Sequence, residues 1–99
     1  MKWIVYILRL RDNSLYCGIT NDYAKRVRKH QAKKGSKYVA SRLPILQGRA
    51  VLEFEGKEAK VYAAKLEAHI KRLSKAEKER WMTSYEPGQA YMDQLSADE

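Results

Sequence analysis

Arg26 and His30 stand four residues apart, so on a helix they share a face, and a guanidinium and an imidazole there can approach one phosphate together. A solvated helical arginine has the same spacing. Glu67 lies between Ala63, Leu66 and Ile70, on or beside an apolar stripe, where a carboxylate without a partner would be costly. Two placements satisfy it: at the edge of the stripe, paired with Lys71 in the favourable Glu-before-Lys order, or facing a cleft as a metal ligand. Tyr6 and Tyr16 complete the set, although a tyrosine alone is an ordinary strand residue. His69 falls away from the stripe of its helix and reads as a surface residue.

These side chains need elements to hold them. Trp3 to Leu10 and Leu15 to Thr20 are rich in β-branched and aromatic residues and flank the turn-forming Asp12-Asn13-Ser14, which predicts a β-hairpin. A two-residue turn at Asp12-Asn13 pairs Tyr6 with Ile19 and sends Tyr16 to the opposite face. A loop of three, Asp12 to Ser14, or one bulge, puts both tyrosines on one face. Asn21 or Asp22 caps a first helix that runs to about Lys34 and stops at Gly35. The stretch from Gly35 to Pro44 forms a short helix or an ordered loop, and Gly48 to Phe54 alternates as a third strand.

Ala59, Tyr62, Ala63, Leu66, Ile70 and Leu73 then recur at helical spacing over residues 58 to 73. Ser74 and Glu77 match a reciprocal capping pattern that opens another helix carrying Trp81 and Met82 inward. Pro87-Gly88 reads as the end of the ordered domain, residues 1 to 85. An acidic tail from 86 to 99 then frays or docks residues such as Tyr91 and Leu95.

Charge narrows the function. The chain has 99 residues and a formal charge of +8, from 20 Lys and Arg against 12 Asp and Glu. Residues 22 to 42 hold Lys25, Arg26, Arg28, Lys29, Lys33, Lys34, Lys37 and Arg42 against Asp22 alone. That concentration suits a polyanion, and equally a solvated surface or an anionic membrane. Cys17 is the sole cysteine, which excludes an intrachain disulfide and a cysteine-based metal site. Arg9 and Arg11 end the first apolar run too early for a signal peptide, and no stretch reaches transmembrane length. A single soluble, cytoplasmic domain is the expectation, of class α/β (α+β).

The order of these residues resembles a known family. Ile4-Val5-Tyr6 followed by Tyr16-Cys17-Gly18 is similar to the paired strand motifs of the GIY-YIG nuclease superfamily. Arg26 and His30 fall as in that superfamily's first helix, and Glu67 as its metal-binding helix glutamate. Gly35, Lys37-Tyr38, Arg42, Pro44 and Leu73-Ser74-Lys75-Ala76-Glu77-Lys78 further resemble its small stand-alone bacterial branch. The match spans about residues 3 to 82. Ile4 replaces the first motif's glycine and Cys17 the second motif's isoleucine, and no asparagine follows Asn21, whereas several members carry a late one.

The resemblance implies a small three-stranded, mainly antiparallel sheet flanked by helices, and a metal-dependent endonuclease acting on DNA in repair or recombination, with RNA not excluded. It implies that Glu67 holds Mg²⁺, or another divalent cation such as Mn²⁺, largely through water. Arg26 then stabilises charge on the scissile phosphate, while Tyr6 or Tyr16 deprotonates or positions the attacking water. His30 and Tyr38 are helpers by position, and Lys25, Arg28, Lys29, Lys33, Lys34, Lys37 and Arg42 track the backbone. A binding module with the same fold and little cleavage is the alternative.

Overall fold

The hairpin loop decides which side chains share a face. In the computed structural model, which describes residues 1–97, β1 (Lys2–Leu10) pairs antiparallel with β2 (Leu15–Thr20). The Leu10 amide donates to the Ser14 carbonyl at 2.9 Å, and the Asn13 amide turns back to the Leu10 carbonyl at 2.8 Å. The residues between Leu10 and Ser14 are therefore Arg11, Asp12 and Asn13. Asn13 adopts φ 69°, the left-handed conformation that asparagine tolerates and that closes a three-residue hairpin loop. Asp12 braces it, with Oδ1 accepting from the Ser14 hydroxyl at 2.6 Å. The loop is odd, as one of the two expected registers requires, but starts one residue earlier than Asp12. Tyr6 now opposes Gly18 and Leu8 opposes Tyr16, so both tyrosines lie on one face.

β3 (Ile45–Glu55) pairs antiparallel with the other edge of β1, giving the order β2-β1-β3. It begins at Ile45 rather than Gly48. It also departs from simple alternation: Val5 pairs with Leu52 but Tyr6 with Ala50, so Val51 is an extra residue. That bulge moves Ala50 to the face opposite Leu52 and Phe54. As the central strand, β1 is covered on both sides, and Ile4 to Leu8 are all buried.

One face carries Val5, Ile7 and Cys17. Against it pack α3 (Ala59–Lys71), through Ala63, Leu66 and Ile70, and α4 (Lys75–Thr83), through Trp81 and Met82. Of the expected α3 stripe, Tyr62 stays exposed and stacks on Phe54 at 5.9 Å. Ser74 caps α4 by accepting from the Glu77 amide at 3.2 Å; the Glu77 carboxylate accepts from the Ser74 hydroxyl, at 3.3 Å, instead of from its amide. Arg9 ties the hairpin to α4 through a two-pronged pair with Glu79.

The other face carries Tyr6, Leu8 and Leu10 under α1 (Tyr23–Gln31) and α2 (Lys37–Ala40), with Val39 buried between them. Asp22 caps α1 by accepting from the Lys25 amide at 3.1 Å. The helix stops at Gln31, short of the expected Lys34, because Lys33 takes the left-handed conformation, φ 63°. The Lys34 amide then closes on the Lys29 carbonyl at 2.9 Å, the 6→1 bond of a helix-ending motif. Lys33 and Lys34 belong to the loop, and Gly35 serves another purpose, described below.

Order does not end at Pro87-Gly88. Glu86–Ala97 form α5, which Pro87 enters in the first turn, where its missing N–H costs nothing. Gly88 is buried against Leu52 and Trp81, and Tyr91, Met92 and Leu95 pack on the α3 face of the sheet. Docking, not fraying, is the fate of this segment; Asp98 and Glu99 lie outside the described residues. Among the described residues no helix is long and apolar enough to cross a membrane.

Candidate active site

Tyr6, Tyr16, Arg26 and His30 meet on the α1 side of the sheet. The Tyr6 hydroxyl lies 2.8 Å from His30 Nε2, and Arg26 Nε donates to the same oxygen at 3.4 Å. Arg26 also feels Tyr16 electrostatically. Tyr16 lies 6.4 Å from Tyr6, ring centre to ring centre, edge-on to His30 at 5.4 Å and stacked with Tyr38 at 6.2 Å. Tyr23, which the sequence did not single out, supports Tyr6 edge-on at 5.8 Å.

The spacing placed Arg26 and His30 on one helix face, and so it is, but that face meets the sheet. His30 is fully buried on Tyr6 and does not stand beside Arg26 toward solvent. Tyr6 is equally buried, whereas Tyr16 and Arg26 are half-buried and reach the surface.

Burial governs the electrostatics. It pushes the Tyr6 phenol up to about 12, although the donation from Arg26 opposes the rise. Burial, and then the nearby Arg26 charge, lower the His30 imidazole below its ordinary 6.5, so it is neutral near pH 7. Arg26 is held protonated above its ordinary value, chiefly by its bond to Tyr6. Tyr6 is therefore a neutral phenol locked between a cation and a neutral imidazole. Its hydroxyl proton lies toward His30 Nε2, or the imidazole proton toward Tyr6, according to the tautomer.

Two glycines make this contact possible, each by having no side chain. A Cβ at Gly18 would stand 2.5 Å from the Tyr6 hydroxyl oxygen, and one at Gly35 would stand 2.6 Å from His30 Nδ1. That Nδ1 is buried with no hydrogen-bond partner. Glycine after a helix ordinarily signals a cap; at Gly35 it signals close approach.

Two cavities flank the cluster. A polar one of about 250 Å³ exposes Arg26 beside Lys25, Lys29 and Asn21, with Trp3 at its wall. A more apolar one of about 310 Å³ runs past the Tyr16 and Tyr38 rings around the edge of β2 to Ile70, Lys71 and Lys78 of α3 and α4. Arg28, Lys33, Lys34 and Lys37 are exposed but line neither cavity. Arg42 is already engaged: it pairs with Asp12 at 3.1 Å and lies over the Tyr38 ring at 3.6 Å.

Glu67 stands apart from the tyrosines, on the α3 side of the sheet. Its carboxylate pairs with Lys71 at 3.4 Å and keeps 24% of its side-chain exposure, so it is neither sealed in the core nor fully in solvent. Lys71 lines the apolar cavity with Tyr16, which brings Glu67 to the cluster at one remove. No group of three or more His, Cys, Asp or Glu able to hold a metal occurs among the described residues. A single part-exposed carboxylate does suit Mg²⁺ or Mn²⁺ bound mainly by water and substrate phosphate.

Comparison with known proteins shows the family. The GIY-YIG catalytic domain matches residues 2–80. A UPF0213 protein of Vibrio cholerae is 40% identical over 93 residues, spanning 94% of this chain and 85% of the relative. UPF0213 protein YhbQ of Salmonella typhimurium is 37% identical over 94 residues, spanning 94% and 89%. The solution structure of UPF0213 protein BH0048 from Bacillus halodurans is 38% identical, covers 84% of each chain and superposes with a TM-score of 0.46. The chain belongs to the GIY-YIG family, within a nuclease superfamily.

Proposed function

We propose that this chain is a divalent-metal-dependent endonuclease that hydrolyses phosphodiester bonds in DNA, in repair or recombination. The observation that carries this reading is the Arg26 guanidinium: it donates to the Tyr6 hydroxyl, interacts electrostatically with Tyr16 and opens into a cavity with Lys25 and Lys29. A phosphate in that cavity meets three positive side chains, and Arg26 stabilises the charge that develops on it. Tyr16 acts on the attacking water, because it reaches the surface where Tyr6 does not. Its hydroxyl orients that water toward the phosphate held by Arg26. Tyr6 and His30 hold Arg26 and Tyr16 in place from below. Glu67 would hold the metal, which when bound supplies Lewis-acid charge at the phosphate.

The test uses supercoiled and branched DNA with Mg²⁺ or with chelator, comparing wild type, Arg26→Ala and Glu67→Ala. Wild type should cut only with metal, and both variants should lose at least a hundredfold in rate. If all three proteins bind DNA and leave every substrate intact, the chain is a binding module.

A further inference from the structure

We infer that the cavity between Tyr16, Tyr38 and α3 is a seat for one unpaired nucleobase of the DNA strand, next to the phosphate held by Arg26. This rests on the nuclease reading for which phosphate is near, but not for the character of the cavity. Its floor is apolar, from Ile7, Leu15, Cys17 and Ile70. Its wall is two tyrosine rings stacked at an interplanar angle of 26°. Its rim holds two ammonium groups, Lys78 and Lys71, the latter paired with Glu67.

An apolar slot walled by aromatic rings and rimmed by cations fits a flat aromatic ring attached to phosphates. At about 310 Å³ it is at the small end of ligand cavities, roughly 300–1,000 Å³, and takes a nucleoside rather than a groove-spanning segment. The Arg42 guanidinium, 3.6 Å above Tyr38, already covers one face of that ring, so an occupant meets the part that lines the cavity. Tyr16 belongs at once to this wall and to the Arg26 cluster, so an occupant lies one nucleotide step from the phosphate. A paired base has both faces stacked and its edge hydrogen-bonded, and cannot enter. An unpaired or extruded base can, and stacking rewards it whatever its identity. The cavity thus favours single-stranded or locally opened DNA over continuous duplex.

Binding is measured in chelator, without cleavage, using fluorescein-labelled DNA ten-mers: single-stranded, the same strand in blunt duplex, and single strands carrying one abasic site stepped along the chain. Wild type should prefer the single strand by about tenfold at equal salt, and one abasic position should lose most of that preference. Tyr38→Ala should shrink the ratio of single-strand to duplex affinity about tenfold, while Tyr38→Phe, which keeps the ring, preserves it. A 2-aminopurine at the sensitive position should change its fluorescence on binding wild type.

Equal affinity for single strand and duplex, or indifference to every abasic position, overturns the pocket; both are read on wild type and need no variant to fold. The expected profile from a protein that never cuts with Mg²⁺ upholds the pocket and sinks the hydrolase reading. Failure to bind any oligonucleotide sinks both. A ribo-oligomer bound with the same abasic profile also supports the pocket and assigns recognition to the base rather than the sugar.

Discussion

Replacing Gly18 by alanine tests whether the Tyr6–His30 contact is as rigid as its packing indicates. Gly18 has no left-handed φ, so alanine meets no backbone penalty there, and any cost is spatial. The new methyl would stand 2.5 Å from the Tyr6 oxygen and 2.7 Å from its ring carbon, where ordinary contacts begin near 3.4 Å. Tyr6 cannot yield easily, being fully buried with Tyr16, Tyr23 and His30 around its ring at 5.8 to 6.4 Å. Overpacking of this kind costs about 1–3 kcal/mol. If the hydroxyl swings aside instead, buried His30 Nε2 loses its partner at a similar cost of about 1–3 kcal/mol. By either route the destabilisation should be roughly 1–3 kcal/mol, read as a lower urea midpoint at constant m-value. Tyr6→Leu removes the ring, so Gly18→Ala should be nearly harmless in that background, and the double-mutant cycle should return a coupling above about 1 kcal/mol. A Gly18→Ala protein within about 0.5 kcal/mol of wild type, or additive effects in the cycle, would refute the reasoning.

Three further outcomes follow from the same geometry. His30 binds fewer protons folded than unfolded, so its contribution to stability is present above pH 6.5 and is lost as pH falls below it. Urea titrations from pH 7 to 5 should show this loss in wild type and a shallower one in His30→Gln. Arg26→Lys keeps the charge but not the planar fork that donates to Tyr6, so it should retain DNA affinity within about threefold and lose at least tenfold in cleavage rate; full cleavage by this variant would deny the guanidinium its role. Truncation after Ser84 should lower stability by several kcal/mol, about 1 or more for each of Tyr91, Met92 and Leu95. An unchanged urea midpoint would mean that α5 does not dock.

What the sequence disclosed, and what it hid, separates along physical lines. The α3 stripe, the hairpin and the Ser74 cap were legible because periodicity and local hydrogen bonding are properties of neighbouring residues. The chain does not count its own loop: whether Tyr16 or Cys17 joins Tyr6 depends on Asn13 accepting φ 69°, and Asp12-Asn13 serves an even or an odd loop equally well. Signals with two meanings misled in the same way. Pro87 suits the first turn of a helix as well as the end of a domain, and only the burial of Gly88 against Trp81 and Leu52 decides between them. Gly35 looks like a helix stop, yet Lys33 makes the stop and Gly35 admits the His30 ring. Glu67 shows the limit most sharply: of the two placements posed as rivals the structure shows the pair with Lys71, and Glu67 reaches the groove only through that lysine. A lysine that neutralises the carboxylate while lining the same groove as Tyr16 makes the pair itself part of the site's surroundings, a relation no spacing along one helix expresses.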